Sequence, residues 1–222
     1  PPAAPGTDAD DPSQSPLVRL LALAGPLGRT RLRDLLQAVG LVPAGRVTVQ
    51  ADALATMVEE GLAKGWLIQV ELLGVGVAPA YARPAILSAV RSGDLVRWRD
   101  VLLELHGIGV SRIGGSGLVM PISRPGDDVR IARLLWLTPA TRGERRWFAQ
   151  RVEHREGLSW ALLDAFCRPV FDAEMLELLA PPWRAMVVDE WLARSLSVPR
   201  PSDQEAIEWA VALCAQETAN RK

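Results

Sequence analysis

The stretch TVQADALATMVEEGLAKGWLIQV, residues 48–70, decides the reading of the fold, because its periodicity changes partway along. Leu54, Val58 and Leu62 recur at i, i+4 and i+8 with Met57 beside them, which predicts a helix with one buried face. Gly61 and Gly65 mark its end. Residues 66–73 (WLIQVELL) then read as a β-rich run, Gly74-Val75-Gly76 as a turn, and residues 77–82 (VAPAYA) as a return strand.

Upstream, residues 16–25 (PLVRLLALAG) read as a short helix starting after Pro16 and ending at Gly25. Thr30 is placed to cap a second helix, in which Leu32, Leu35, Leu36 and Val39 are spaced for one buried face and Gly40 closes the run. Residues 1–16 are Pro, Ala, Asp and Ser with almost nothing large and apolar. They cannot offset their ordering entropy by burial and are expected to be a disordered tail.

Three short helices followed by a hairpin form the element order of the winged helix-turn-helix superfamily, and residues 48–70 resemble its third helix and first wing strand. The resemblance rests on a small polar start, a buried Leu, a Met-Val-Glu-Glu-Gly-Leu exit and a following strand. It covers about residues 17–84. It implies a winged-helix N-terminal domain whose third helix would enter a DNA major groove while the wing touches the adjacent backbone.

Beyond Pro84, two more helices are expected around a Ser92-Gly93-Asp94 break, then a second hairpin flanking Gly114-Gly115-Ser116. Residues 85–127 thus read as a linker or a second, degenerate winged unit. From Asp128 the pattern is helical. Helix starts are expected at Thr138-Pro139, at Asp172, at Pro181-Pro182 and at a Ser202/Glu205 capping box. Six of the eight tryptophans fall in this part. The expected fold is mainly α with small β-hairpins: a winged-helix domain followed by a helical bundle over residues 128–222.

Composition narrows the chemistry. A net charge of −1 gives no global pull toward nucleic acid or an anionic membrane. No apolar run reaches the ~18 residues of a membrane span. The two cysteines, Cys167 and Cys214, sit inside apolar helical patterns and read as buried thiols of a reducing, cytoplasmic compartment. Arginine outnumbers lysine 23 to 2, as expected from a GC-rich bacterial genome. The Pro-Pro start has neither methionine nor a basic leader and suggests a piece of a longer parent.

Residues 29, 31 and 33 are all arginine, at the front of the second helix. With Arg46 they are the candidates for holding phosphates, and Gln50 and Thr56 on the third helix are the candidates for reading bases. Against that, the third helix offers Asp52, Glu59 and Glu60 and no cation before Lys64, and residues 73–77 are uncharged. Residues 17–84 carry seven Lys/Arg against five Asp/Glu, a modest surplus for a DNA reader. An apolar wing suits a protein surface better, with Val75 and Val77 as its candidate contacts. Trp183 and Trp191, eight residues apart on one helix face, are either core or a second interface.

Other constellations are weaker. Gly107–Arg112 begins like a dinucleotide loop but lacks the third glycine and precedes a strand, so a turn explains it. Gly114–Gly117 lacks the spacing of a nucleophile elbow. His106 and His154 have no metal-spaced partners. Arg142, Arg145 and Arg146 belong to an alternating-charge helix face or to an anion site with Trp147 beside it. The expected function is therefore a non-enzymatic protein-interaction or adaptor module, binding another protein within a nucleic-acid-associated assembly and requiring no cofactor or metal. Direct binding of double-stranded DNA by a regulator is the alternative.

Overall fold

Over residues 11–42, 47–106, 127–145, 165–166, 172–197, 207–208 and 211–212, which the computed structural model describes, the chain is mainly helical with one two-stranded antiparallel hairpin. It divides into two units, Pro1–Val110 and Ser111–Lys222. The second hairpin expected around residues 107–126, both cysteines, His154 and the Ser202/Glu205 pair lie outside the described residues.

The first unit runs α1 (Pro16–Ala24), α2 (Arg29–Ala38), α3 (Val47–Ala63), β1 (Leu67–Val70), β2 (Gly74–Val77), α4 (Pro79–Arg91) and α5 (Asp94–Leu105). Helix α1 is apolar nearly all round: Leu17, Val18, Leu20, Leu21, Leu23 and Ala24 are buried. It accordingly lies at the centre, packed on α4, α5 and β2. The tail expected to be unstructured through residue 16 is ordered from Asp11. Asp11 accepts from the amide of Ser13 at 2.9 Å and from its hydroxyl at 2.8 Å, capping a 3-10 turn over Pro12–Gln14 that packs on α1 and α4. Those Ser13 bonds, the hydroxyl's first, hold the Asp11 carboxyl below its usual pKa.

Helix α2 starts before the cap that its sequence suggested. Gly28, extended and without a side-chain cap, precedes Arg29, so Thr30 lies inside the first turn. The reason is tertiary. Leu27 is already bonded to the hairpin, and the helix turns off directly after it. The far end behaves as read: Gly40 (φ 74) follows the helix, with Leu41 N–H donating to Leu36 O at 2.9 Å and Gly40 N–H to Gln37 O at 3.1 Å.

The hairpin differs from the expectation in register. The strands pair Leu67 with Val77 and Val70 with Gly74, so Gly74-Val75-Gly76 is strand and the turn falls at Glu71–Leu73. Residues 77–82 are not a return strand, because Pro79 opens α4 at the first helical position, where its missing N–H costs nothing. Pro84 sits within that helix on an exposed face.

Gly74 of β2 is required because another backbone crosses there. Leu27 and Val75 exchange two backbone hydrogen bonds, both 2.9 Å. A Cβ on Gly74 would stand 2.2 Å from Leu27 O and 2.6 Å from Gly28 N, and Gly74 holds φ 107. On the other side of the hairpin, Gly61 in α3 leaves room for the buried Leu67, whose Cδ1 a Cβ would meet at 2.6 Å.

A buried ion pair ties α1 to the α4–α5 corner. Gly93 (φ 77) turns the chain sharply, and Asp94 opens α5. Its carboxylate, 3% exposed, meets Arg19 Nη2 at 2.7 Å, and Arg19 Nη1 also donates to Ser88 Oγ at 3.5 Å. Arg97 reaches the same carboxylate from the solvent side.

The described part of the second unit is mostly helical: α6 (Asp127–Trp136), a helical turn over residues 142–145, α7 (Ala173–Glu177) and α8 (Pro181–Ser197), with non-helical connections over residues 137–141 and 178–180. Asp172 caps α7 by accepting from Met175 N–H at 3.0 Å, and Pro181 opens α8, both as read. The start expected at Thr138-Pro139 is displaced. Thr138 is buried and donates its hydroxyl to Leu134 O at the end of α6. The next helix instead begins after a Thr141/Glu144 capping box, with Thr141 N–H to Glu144 Oε2 at 2.6 Å and Glu144 N–H to Thr141 Oγ1 at 3.2 Å.

Two pairs of substitutions test this framework by urea denaturation. Gly74→Ala should cost about 2–3 kcal/mol from overpacking and backbone strain, whereas Gly28→Ala, with nothing within 4 Å, should stay within about 0.5 kcal/mol. Equal effects at the two glycines would remove the crossing as the reason for Gly74. Asp94→Ala should cost about 3–5 kcal/mol by stranding Arg19, and Arg97→Ala less than about 1 kcal/mol.

Candidate functional site

Helical geometry separates the three arginines. At roughly 100° per residue, Arg29 and Arg33 share a face of α2 and Arg31 stands about 160–200° away from them. Arg29 and Arg33, with Thr30, line a cleft of ≈ 160 Å³ against Leu54, Ala55 and Val58 of α3. Arg31 is exposed and does not line it. Arg33 contacts its neighbour Asp34 at 3.2 Å, while Arg29 has no ion pair among the described residues. Arg46 lies outside the described residues, and of Gln50 only its backbone place in α3 is described.

The outward face of α3 is acidic. Asp52, Ala53, Thr56, Glu59 and Glu60 are exposed, and they recur at helical spacing. The Thr56 hydroxyl donates to Asp52 O at 3.0 Å and is thereby engaged with its own helix. Lys64, the first cation on this helix, pairs with Glu60 at 2.9 Å and lies 4.4 Å over the Trp66 ring. No positive stripe runs along the helix among its described side chains.

The hairpin presents a different set of residues from those expected. Val75 is 1% exposed and belongs to the core, because its strand is sandwiched between β1 and the Leu27 crossing; it is not available as an interface contact. Val77 is half-buried. The exposed apolar groups are Leu72, completely exposed, with Leu73 and Ile68 behind it, and Glu71 gives the turn a negative charge. Leu72 is also the one non-glycine residue at positive φ (62°) among those described, a conformation that costs roughly 1–2 kcal/mol for an ordinary side chain. The alternating Gly-Val-Gly-Val of β2 was the signal that would have moved the turn to Glu71–Leu73, since glycine within a strand marks a close backbone approach.

In the second unit Trp191 is buried and Trp183 half-buried, edge-on to Trp136 at 5.5 Å between ring centroids. Arg145 covers Trp183 at 5.1 Å and donates from Nε to Leu135 O at 3.4 Å. That arginine of the candidate anion cluster is therefore engaged in packing, and Glu144 beside it is buried in its cap. Arg133 donates to Ala165 O at 3.0 Å, and burial lowers its pKa to about 10, so it stays charged at neutral pH.

The described residues hold no cluster of His, Cys, Asp and Glu suited to a metal ion, and no helix among them is long and apolar enough to cross a membrane. Comparison of the chain with protein-family models, with curated proteins and with solved structures gave no match.

The strain at Leu72 is measurable. Leu72→Gly should raise stability by up to about 1 kcal/mol in urea denaturation, as relief of the left-handed backbone outweighs the added chain entropy. A loss of stability would mean that the leucine side chain supports the folded turn.

Proposed function

We propose that the first unit is a non-enzymatic protein-docking module of winged-helix type, with the Glu71–Leu73 tip as its principal contact. The element order α1, Leu27 bridge, α2, α3, β1, β2 supports the winged-helix reading, with Leu27 acting as a minimal third strand beside β2. The observation that carries the docking reading is the tip itself. A completely exposed leucine is held in a strained conformation at the end of a hairpin whose Val75 packs inward. Strain of this kind persists where the surrounding structure imposes it, and such positions cluster at ligand and partner sites.

Electrostatics favours a protein over DNA as the partner. A duplex approaching α3 would meet Asp52, Glu59, Glu60 and then Glu71 of the turn, while Lys64 is already paired. Each phosphate neutralised requires a cation, and splitting the α2 arginines across two faces leaves at most two of them on any one surface.

Two measurements check this reading. Replacing Leu72 and Leu73 with serine should weaken partner binding at least ~10-fold while stability stays within about 0.5 kcal/mol or rises. In fluorescence anisotropy with a random-sequence duplex, the wild type should bind no better at low salt than a variant with Arg29, Arg31 and Arg33 all changed to Glu. Tight binding with a steep salt dependence, lost in that variant, would contradict the proposal and favour the DNA-binding alternative.

A further inference from the structure

The cleft between α2 and α3 combines features that the hairpin tip lacks. Its floor is aliphatic, formed by Leu54, Ala55 and Val58, and its rim carries two guanidinium groups one helical turn apart. Arg29 has no ion pair among the described residues, and Arg33 has a single, part-exposed one to its sequence neighbour. The volume of ≈ 160 Å³ is well below the roughly 300–1,000 Å³ of sites for drug-sized ligands and corresponds to about five liquid waters, enough for a single residue.

We propose that this cleft binds the C-terminal residue of a partner polypeptide when that residue is aliphatic: its side chain on the Leu54–Val58 floor, its carboxylate between Arg29 and Arg33. Charge and size together select this occupant. One carboxylate and one aliphatic group on the same Cα satisfy a site with two adjacent cations and a small apolar floor. Arginine forks match carboxylate geometry, and such charge-assisted bonds are the strong ones. A polyanion is disfavoured because Asp34, Asp52 and Glu59 are exposed on the same two helices. The inference rests on the protein-docking reading but uses a surface separate from the Leu72 tip.

The test is a heteronuclear NMR titration of the full chain with a hexapeptide ending in leucine carboxylate. The same peptide amidated at its C-terminus, and a short DNA duplex, serve as the other arms. The free-acid peptide should shift the amides of Thr30, Arg33, Ala55 and Val58, and amidation should weaken it roughly tenfold. Arg29→Gln with Arg33→Gln should abolish the shifts, Ala55→Leu should block them by filling the floor, and Arg31→Gln should leave them unchanged. The substituted arginines are wholly or partly exposed, so the variants should stay folded, as their unperturbed spectra would report. Equal binding of acid and amide, or no shift at these residues with the free acid, would overturn the proposal. If it fails while the Leu72/Leu73 variant still loses its partner, the docking reading stands without this cleft. Duplex-induced shifts at Arg29 and Arg33 that weaken steeply with salt would overturn both.

Discussion

The first unit is organised by one backbone crossing. Leu27, between α1 and α2, bonds in both directions to Val75, and the approach is so close that Gly74 has no room for a Cβ. Several features follow. The crossing fixes the direction in which α2 leaves the sheet, and so where Arg29 and Arg33 stand relative to α3. It buries Val75, while Leu72 and Leu73 stay exposed at the turn. Leu67 of β1 packs against Gly61 of α3 and anchors the hairpin from its other end. Leu72 is thus held on a short, doubly anchored hairpin rather than on a free loop.

The distribution of charge carries the functional argument further than its total. Arg19 is spent internally on Asp94, Lys64 on Glu60 and Trp66, Arg145 on Trp183, and Arg133 on Ala165 O. What the described part of the first unit's α2–α3 region leaves to solvent is Arg31 on one face of α2 and, on the opposite face, a pair of arginines at a small cleft bordered by carboxylates. That is the electrostatics of a site for one anion. A surface that tracks a nucleic-acid backbone needs many more cations on one face.

Much of the helical framework was legible in the sequence because its punctuation is local. Pro16 and Gly25 bound α1, Gly40 ends α2, Gly93 breaks α4 from α5, Asp172 caps α7 and Pro181 opens α8. Two of the misplacements have a non-local cause, and a third was a local signal passed over. Thr30 did not cap α2 because the Leu27 bridge sets where that helix begins. Gly74–Gly76 looked like a turn because glycine usually marks one, yet here Gly74 answers to the backbone of Leu27, 47 residues upstream in sequence. Thr141 and Glu144 form a capping box that the more conspicuous Thr138-Pro139 obscured. The same shift of hairpin register moved the interface residues from Val75 to Leu72 and Leu73; the Gly-Val-Gly-Val alternation pointed to it, but the Leu27 crossing that imposes it lies outside the hairpin. The pairing of Arg29 with Arg33 across from α3 was latent in the i, i+4 spacing, but the floor it faces is a tertiary fact.

The central claim is that the Leu27–Val75 crossing holds the first unit together and fixes the hairpin and the α2–α3 cleft. Native-state hydrogen exchange at these two amides tests it most directly. The account predicts that both exchange only through global unfolding, with protection equal to that of the buried amides of α1 and lost in parallel with them on adding denaturant. Exchange of Leu27 and Val75 at much lower free energy than α1, through local fraying of the hairpin, would contradict it.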